Sequence, residues 1–200
     1  MSAHITGMQP ANAELFQQAT TYALAVVAQV SEDDLDRPTH CTDWTIGDLL
    51  AHLVDVAEAL RKLADTGTLE LTAKQRPDSN IVNAVRDRMD ALIDRLNGGA
   101  ETIESAGATE PDGVDNAAIS GAVEFTTHGW DISAALGQPR QIPDALAKPL
   151  LAITSQAIDN ANRAPQFAPP VDVDPSHPSS DQLLGFLGRN PHPTESDGLL

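Results

Sequence analysis

Basic residues are scarce in this 200-residue chain: 12 lysines and arginines stand against 29 aspartates and glutamates, for a formal charge of −17. Nucleic acid and anionic membrane surfaces both require a positive face, so neither is an expected partner. The acids are scattered along polar faces rather than gathered in blocks, and they read as a solubilising surface. Aromatics are few, with four Phe, two Trp and one Tyr. A single cysteine, Cys41, excludes an intramolecular disulfide. No apolar run approaches the roughly 18 residues of a membrane helix. The opening MSAHITGMQP lacks the basic and apolar regions of a secretory signal, so a cytoplasmic protein is expected. Also missing are a G-x-G-x-x-G turn, a P-loop, an H-E-x-x-H pair, a G-x-S-x-G elbow and any paired-cysteine zinc motif.

Helical periodicity fills most of what remains. The length suits one domain, or one domain with an appendage. Over residues 12–30, Leu15, Ala19, Tyr22, Val26 and Val30 recur at steps of three and four. A polar connector follows, in which Pro38 forbids helix continuation. Thr45 and Asp48 have capping-box spacing and open a second helix that Gly67 ends. Its stripe is Ile46, Leu49, Leu50, Leu53, Val56, Ala57, Leu60 and Leu63. A third helix is expected over 80–97, with Ser79 as N-cap, Gly98 as stop and Ile81, Val85, Met89, Leu92 and Leu96 inward. Residues 99–115 read as a Gly- and acid-rich loop. A fourth helix is expected over 116–136, and a last long one from Pro143 to residue 164 with Pro149 near its start. The tail is Pro-rich around a short VDVD, with a short helix near 180–188 that Gly188 stops. The sum is an all-α, up-and-down four-helix bundle (residues 1–165) with a short, mostly irregular C-terminal extension (166–200) packed on it. Bundles of this kind often pair, so a homodimer is an expectation.

Glu124 and His128 are four residues apart, which puts a carboxylate and an imidazole on one helical face. An ion pair explains such a couple as readily as a metal does. Val123, Phe125 and Trp130 make the surroundings apolar, however, and a buried charged couple needs a reason. His52 lies about 90° from the centre of its helix's stripe, at the border of the core. It and His128 are the histidines in convincing helices before the tail; His4, His40, His177 and His192 fall in termini or loops. If the two helices face each other, His52, Glu124 and His128 supply three ligands and leave a coordination position open, which favours chemistry over structure. Asp131 is a candidate to orient an imidazole, though an ordinary polar residue of the helix end explains it too. Trp44 and Trp130 are expected to pack near the site. Arg189, a lone cation beside the short helix, suits a cofactor or substrate carboxylate or a surplus acid. Cys41 has no obvious helix N-terminus or basic neighbour and reads as buried and inert.

Three segments carry a family resemblance. HCTDWTIGDLLAHLVDV resembles the signature of the DinB-like superfamily, in the actinobacterial branch named for mycothiol-dependent maleylpyruvate isomerase. AVEFTTHGWDISAALGQP resembles that branch's second metal segment. VDVDPSHPSSDQLLGFLGRNP resembles a subgroup ending on Gly-Arg-Asp-Pro, with Asn190 where Asp is usual. The resemblance implies a bundle with a metal at one end, its ligands at His52, Glu124 and His128, and zinc or nickel as the ion. It further implies a mycothiol-type thiol and an electrophilic substrate as small-molecule partners, in S-transfer or cis–trans isomerisation. The isomerase carries a larger C-terminal α/β domain, whereas about 35 residues follow the last long helix here, which argues against maleylpyruvate itself as substrate. A non-catalytic metal-binding or interaction domain, or a hydrolase using metal-bound water, would need the same three ligands.

Overall fold

The computed structural model of the chain describes residues 10–66, 80–98, 111–159, 161–164 and 167–192. Six α-helices run in order: α1 (Pro10–Val27), α2 (Ile46–Thr66), α3 (Ile81–Gly98), α4 (Pro111–Ala135), α5 (Asp144–Ala157) and α6 (Ser179–Phe186). The described residues contain no strand, only an isolated antiparallel bridge between Pro38 and Thr45. The all-α four-helix bundle is α1–α4: α1 packs on α4 and α3, and α2 on α3 and α4.

The expected stripes form its core. Leu15, Ala19, Tyr22 and Val26 of α1, Leu49, Leu50, Leu53 and Ala57 of α2, and Val85, Met89 and Leu92 of α3 are all buried. Helix α4 is the most enclosed, with Ala118, Ala122, Phe125, Trp130 and Ile132 buried on several sides of it. Small residues let α1 and α4 approach closely: a Cβ on Gly129 would lie 3.3 Å from the Ala23 Cα. The two helices run in the same direction, since Asn12 donates to Asp115 (3.1 Å) near their starts and Ala23 meets Gly129 further on. Strict up-and-down alternation therefore fails at this pair. Alternation presumes short loops, and the connections over 67–80 and 99–110 are not short.

Helix ends show local chemistry at work. The capping box at α2 is present: the Thr45 backbone N–H donates to Asp48 Oδ2 (2.9 Å) and the Asp48 N–H to Thr45 Oγ1 (3.2 Å). The expected caps Ser79 and Gly67 lie outside the described residues; at α3 the Asn80 side chain accepts from the Asn83 N–H (3.3 Å). Helix α4 starts at Pro111, five residues before the expected 116. Proline is well placed at a first helical position, where its missing N–H would have had no acceptor. Helix α5 ends at Ala157, not at 164. There Asp159 Oδ1 accepts from the N–H groups of Ala161 and Asn162, while Asn162 donates to the Ala157 carbonyl. These side chains give the backbone a turn in place of further helix.

Helix α6 is anchored by Leu183, Leu184 and Leu187, all buried. It is tied in by the Ile142 N–H donating to Ser180 Oγ (3.1 Å) and by Arg163 donating to the Phe186 carbonyl (2.7 Å). Gly188 ends it at φ +81°, and a Cβ there would lie 2.7 Å from the Ala168 carbonyl oxygen. Both the left-handed backbone and that contact require glycine. Gly188→Ala is expected to cost about 1–3 kcal/mol, read as a lower denaturant midpoint with an unchanged slope.

Candidate metal centre

The connector from α1 to α2 lies over the end of the bundle where α2 begins and α4 runs toward its C-terminus. It is more structured than its polar composition suggested. The Thr39 N–H donates to the Trp44 carbonyl (3.0 Å) and the Trp44 N–H to the Cys41 carbonyl (2.9 Å), with Asp43 in the left-handed region at φ 64°. This tight loop holds Cys41 and Trp44 against α4 and α2. The His40 ring packs on Trp130 at 5.0 Å. Trp130 thus supports the loop from the core side, while Trp44 borders the candidate site, 5.3 Å from the His52 ring and 6.4 Å from that of His128.

Helices α2 and α4 bring together the three residues singled out from sequence. His52 Nε2 lies 3.0 Å and His128 Nε2 3.1 Å from Glu124 Oε2. The rings meet edge to face at 5.1 Å. One ligand atom from each residue lies within 4.8 Å of the others, a spacing that can accommodate a metal ion. The side chains are partly open to solvent, at 25% for His52, 36% for Glu124 and 12% for His128. Burial pushes the Glu124 carboxyl up, but the hydrogen bonds and charge of the two imidazoles outweigh it and hold that carboxyl well below its ordinary value.

Behind His128, Asp131 takes the first of its two expected places, against an imidazole, and not that of an ordinary polar residue of the helix end. Asp131 is fully buried, and its Oδ2 lies 3.0 Å from His128 Nδ1. Arg189, also buried, clasps the same carboxylate: Nε donates to Oδ1 at 3.2 Å and an Nη to Oδ2 at 3.0 Å. Another Nη donates to the Leu187 carbonyl (2.9 Å). The guanidinium sequence reading left for a cofactor or a surplus acid is thus engaged by an acid 58 residues away. Burial favours the neutral Asp131 carboxyl, yet the Arg189 charge and the His128 hydrogen bond hold it far below the usual range. Burial likewise opposes charge on His128, and hydrogen bonds with Asp131, Cys41 and Glu124 raise it well above an ordinary histidine.

Cys41 is the residue that sequence reasoning misplaced. Its thiol is half-buried and donates to Asp131 Oδ2 (3.5 Å), with Arg189 at 3.8 Å and His128 Nδ1 at 3.9 Å. The basic neighbours that its own segment lacks arrive from α4 and the tail. The available signal was its place in the Cys-x-x-Trp turn immediately before α2.

Asp131→Asn removes the charge that compensates Arg189. The expected loss is about 3–5 kcal/mol at neutral pH, as for other buried pairs broken on one side, measured by urea unfolding. The folded carboxyl titrates below its unfolded value of about 4, so this contribution is complete above that value and is lost as pH falls through the folded one. The stability gap between wild type and variant should therefore be open at neutrality and close in acid.

Together these observations define an all-α, DinB-like bundle with a histidine–carboxylate cluster at one end. Residues 16–133 match the mycothiol maleylpyruvate isomerase N-terminal domain, and the chain belongs to that family. The match covers His52, Glu124, His128 and Asp131 and stops short of Arg189. The chain is also similar to two uncharacterized proteins of Mycobacterium tuberculosis, MT0763 of strain CDC 1551 / Oshkosh and Rv0738 of strain H37Rv. Each is 28% identical over 177 residues, covering 86% of this chain and 94% of the relative. No solved structure gives a significant match. No helix among the described residues is long and apolar enough to cross a membrane.

Proposed function

We propose that the protein is a metal-dependent enzyme acting with a low-molecular-weight thiol of the mycothiol type. His52, Glu124 and His128 would hold a divalent ion, zinc or nickel. The observation that carries this reading is the convergence of both Nε2 atoms on one carboxylate oxygen while a buried carboxylate holds Nδ1 of His128. Two imidazole nitrogens and one carboxylate oxygen suit zinc or nickel, and a histidine ligand normally donates its other ring N–H to a carboxylate. A divalent ion at such a centre supplies Lewis acidity and stabilises the thiolate form of a bound thiol near neutral pH.

The chain's own residues do the positioning. With an ion held, His128 would keep its proton on Nδ1 facing Asp131 and leave its Nε2 lone pair, beside Glu124 and His52, free to ligate. Arg189 offsets the Asp131 charge, so the carboxylate stays ionised while buried; we assign Arg189 a positioning role through Asp131. Trp44 walls the two imidazoles and limits water at that side. Residues 167–192 then act as an extension that completes this end of the bundle through Arg189.

The proposed chemistry is thiolate addition to an electrophilic carbon. In S-transfer a C–S bond forms and the leaving group departs with its electron pair. In isomerisation the thiolate adds to an activated C=C bond, electrons shift into the conjugated carbonyl, and the resulting single bond rotates. Expulsion of the thiolate then restores the double bond. The family to which the chain belongs supports a thiol as co-substrate, and a soluble cytoplasmic setting fits its acidic surface.

Calorimetry of zinc- or nickel-loaded protein with mycothiol tests this reading. Heat of binding is expected from loaded wild type and not from His52→Ala or His128→Ala treated alike; a loaded wild type that ignores the thiol sinks it. Asp131→Asn should weaken metal binding at this centre by about 10–100-fold, as loss of a histidine's outer partner does elsewhere. Competition with a chromophoric chelator reads that change directly.

A further inference from the structure

A second set of metal-ligating side chains converges at α6. His177 lies two residues before α6, Asp181 in its first turn, and His192 beyond its end. His192 Nε2 is 2.9 Å and His177 Nδ1 3.5 Å from the same oxygen, Asp181 Oδ2. The rings meet edge to face at 5.6 Å, and one ligand atom from each residue lies within 4.8 Å of the others. We propose that His177, Asp181 and His192 form a second site, for a first-row divalent transition ion, separate from the centre at His52, Glu124 and His128.

Ligand chemistry selects the class of ion. Two imidazoles and one carboxylate suit nickel, copper or zinc, whereas magnesium and calcium take oxygen sets. One histidine suffices to pair a carboxylate; here two, from either side of a helix, turn to one oxygen. The Asp181 side chain is 12% exposed and the imidazoles 44% and 65%, so the carboxylate forms the floor and the rings an open mouth toward solvent. Three protein ligands leave further positions for water.

Each ligand is placed by bonds of its own. The His177 N–H donates to the Asp174 carbonyl (2.9 Å), and Gln182 Nε2 donates to the His177 carbonyl (2.9 Å). Asp181 sits in the first turn with its N–H donating to the Pro178 carbonyl (3.0 Å), next to Ser180, which is bonded to Ile142. The His192 N–H donates to Asn190 Oδ1 (3.0 Å), three residues after Arg189 is clasped by Asp131. An ion here joins the turn before α6 to the segment beyond it. It therefore clamps the stretch of tail that carries Arg189.

The test uses the full chain and the metal alone. In the His52→Ala/His128→Ala background, Ni2+ titration is expected to show one equivalent bound. Cu2+ in its place should give an electron paramagnetic resonance spectrum with coupling to two nitrogens. Adding His177→Ala and His192→Ala should abolish both. In the otherwise wild-type chain, His177→Ala/His192→Ala should remove one equivalent and leave the other, which covers the case in which the first background does not fold. Metal binding that the His177→Ala/His192→Ala change leaves undiminished in both backgrounds overturns the proposal. So does a copper spectrum without two-nitrogen coupling in the His52→Ala/His128→Ala background.

Discussion

A carboxylate with no exposed surface must be compensated where it stands, and in this protein Asp131 is that carboxylate. Its compensation comes from two directions, the Arg189 guanidinium from the tail and the His128 imidazole one turn back on α4. The Cys41 thiol from the α1–α2 loop joins the same oxygen. Three parts of the chain far apart in sequence thus meet on one buried group. The tail is held where Gly188 lets it turn, and the His128 ring is held with Nδ1 inward and Nε2 toward α2.

The second constraint is the shared Glu124 oxygen between two imidazoles. It works because α2 and α4 pack against each other with Leu60 near Gly121 and His52 near His128. The close α1–α4 contact at Ala23 and Gly129 fixes α4 from behind. Trp130 and the His40 ring brace the loop that carries Trp44 and Cys41. Two carboxylates, two imidazoles and a guanidinium are thereby concentrated at one end of a chain whose other acids are largely spread over its surface. Such a cluster is costly to assemble without a task, and the ion proposed for Glu124 and the two histidines would give it one.

Much of this could be read along the chain. Periodicity located the buried stripes, because a helix repeats its face every three to four residues. The Thr45–Asp48 box marked the start of α2, because both partners lie within one turn. The i, i+4 step placed Glu124 and His128 together, and the stripe's border placed His52. What escaped had long-range causes or local competitors. The start of α4 was set five residues late because acid and glycine composition outweighed a proline suited to a first turn. The end of α5 was set seven residues late because Asp159 and Asn162 close a turn that periodicity does not register.

By itself, then, the sequence determined the helices, their inward faces and the three side chains able to meet across α2 and α4, since each depends on neighbours within a turn or two. Only the tertiary structure decided that Asp131 is buried, that Arg189 is its partner, that Cys41 has basic neighbours and that His177 and His192 turn to one carboxylate oxygen. These depend on how the tail and the α1–α2 loop close over the bundle end. The physical reason is that a charge's environment is set by what packs against it, and here those groups come from elements that no local pattern connects.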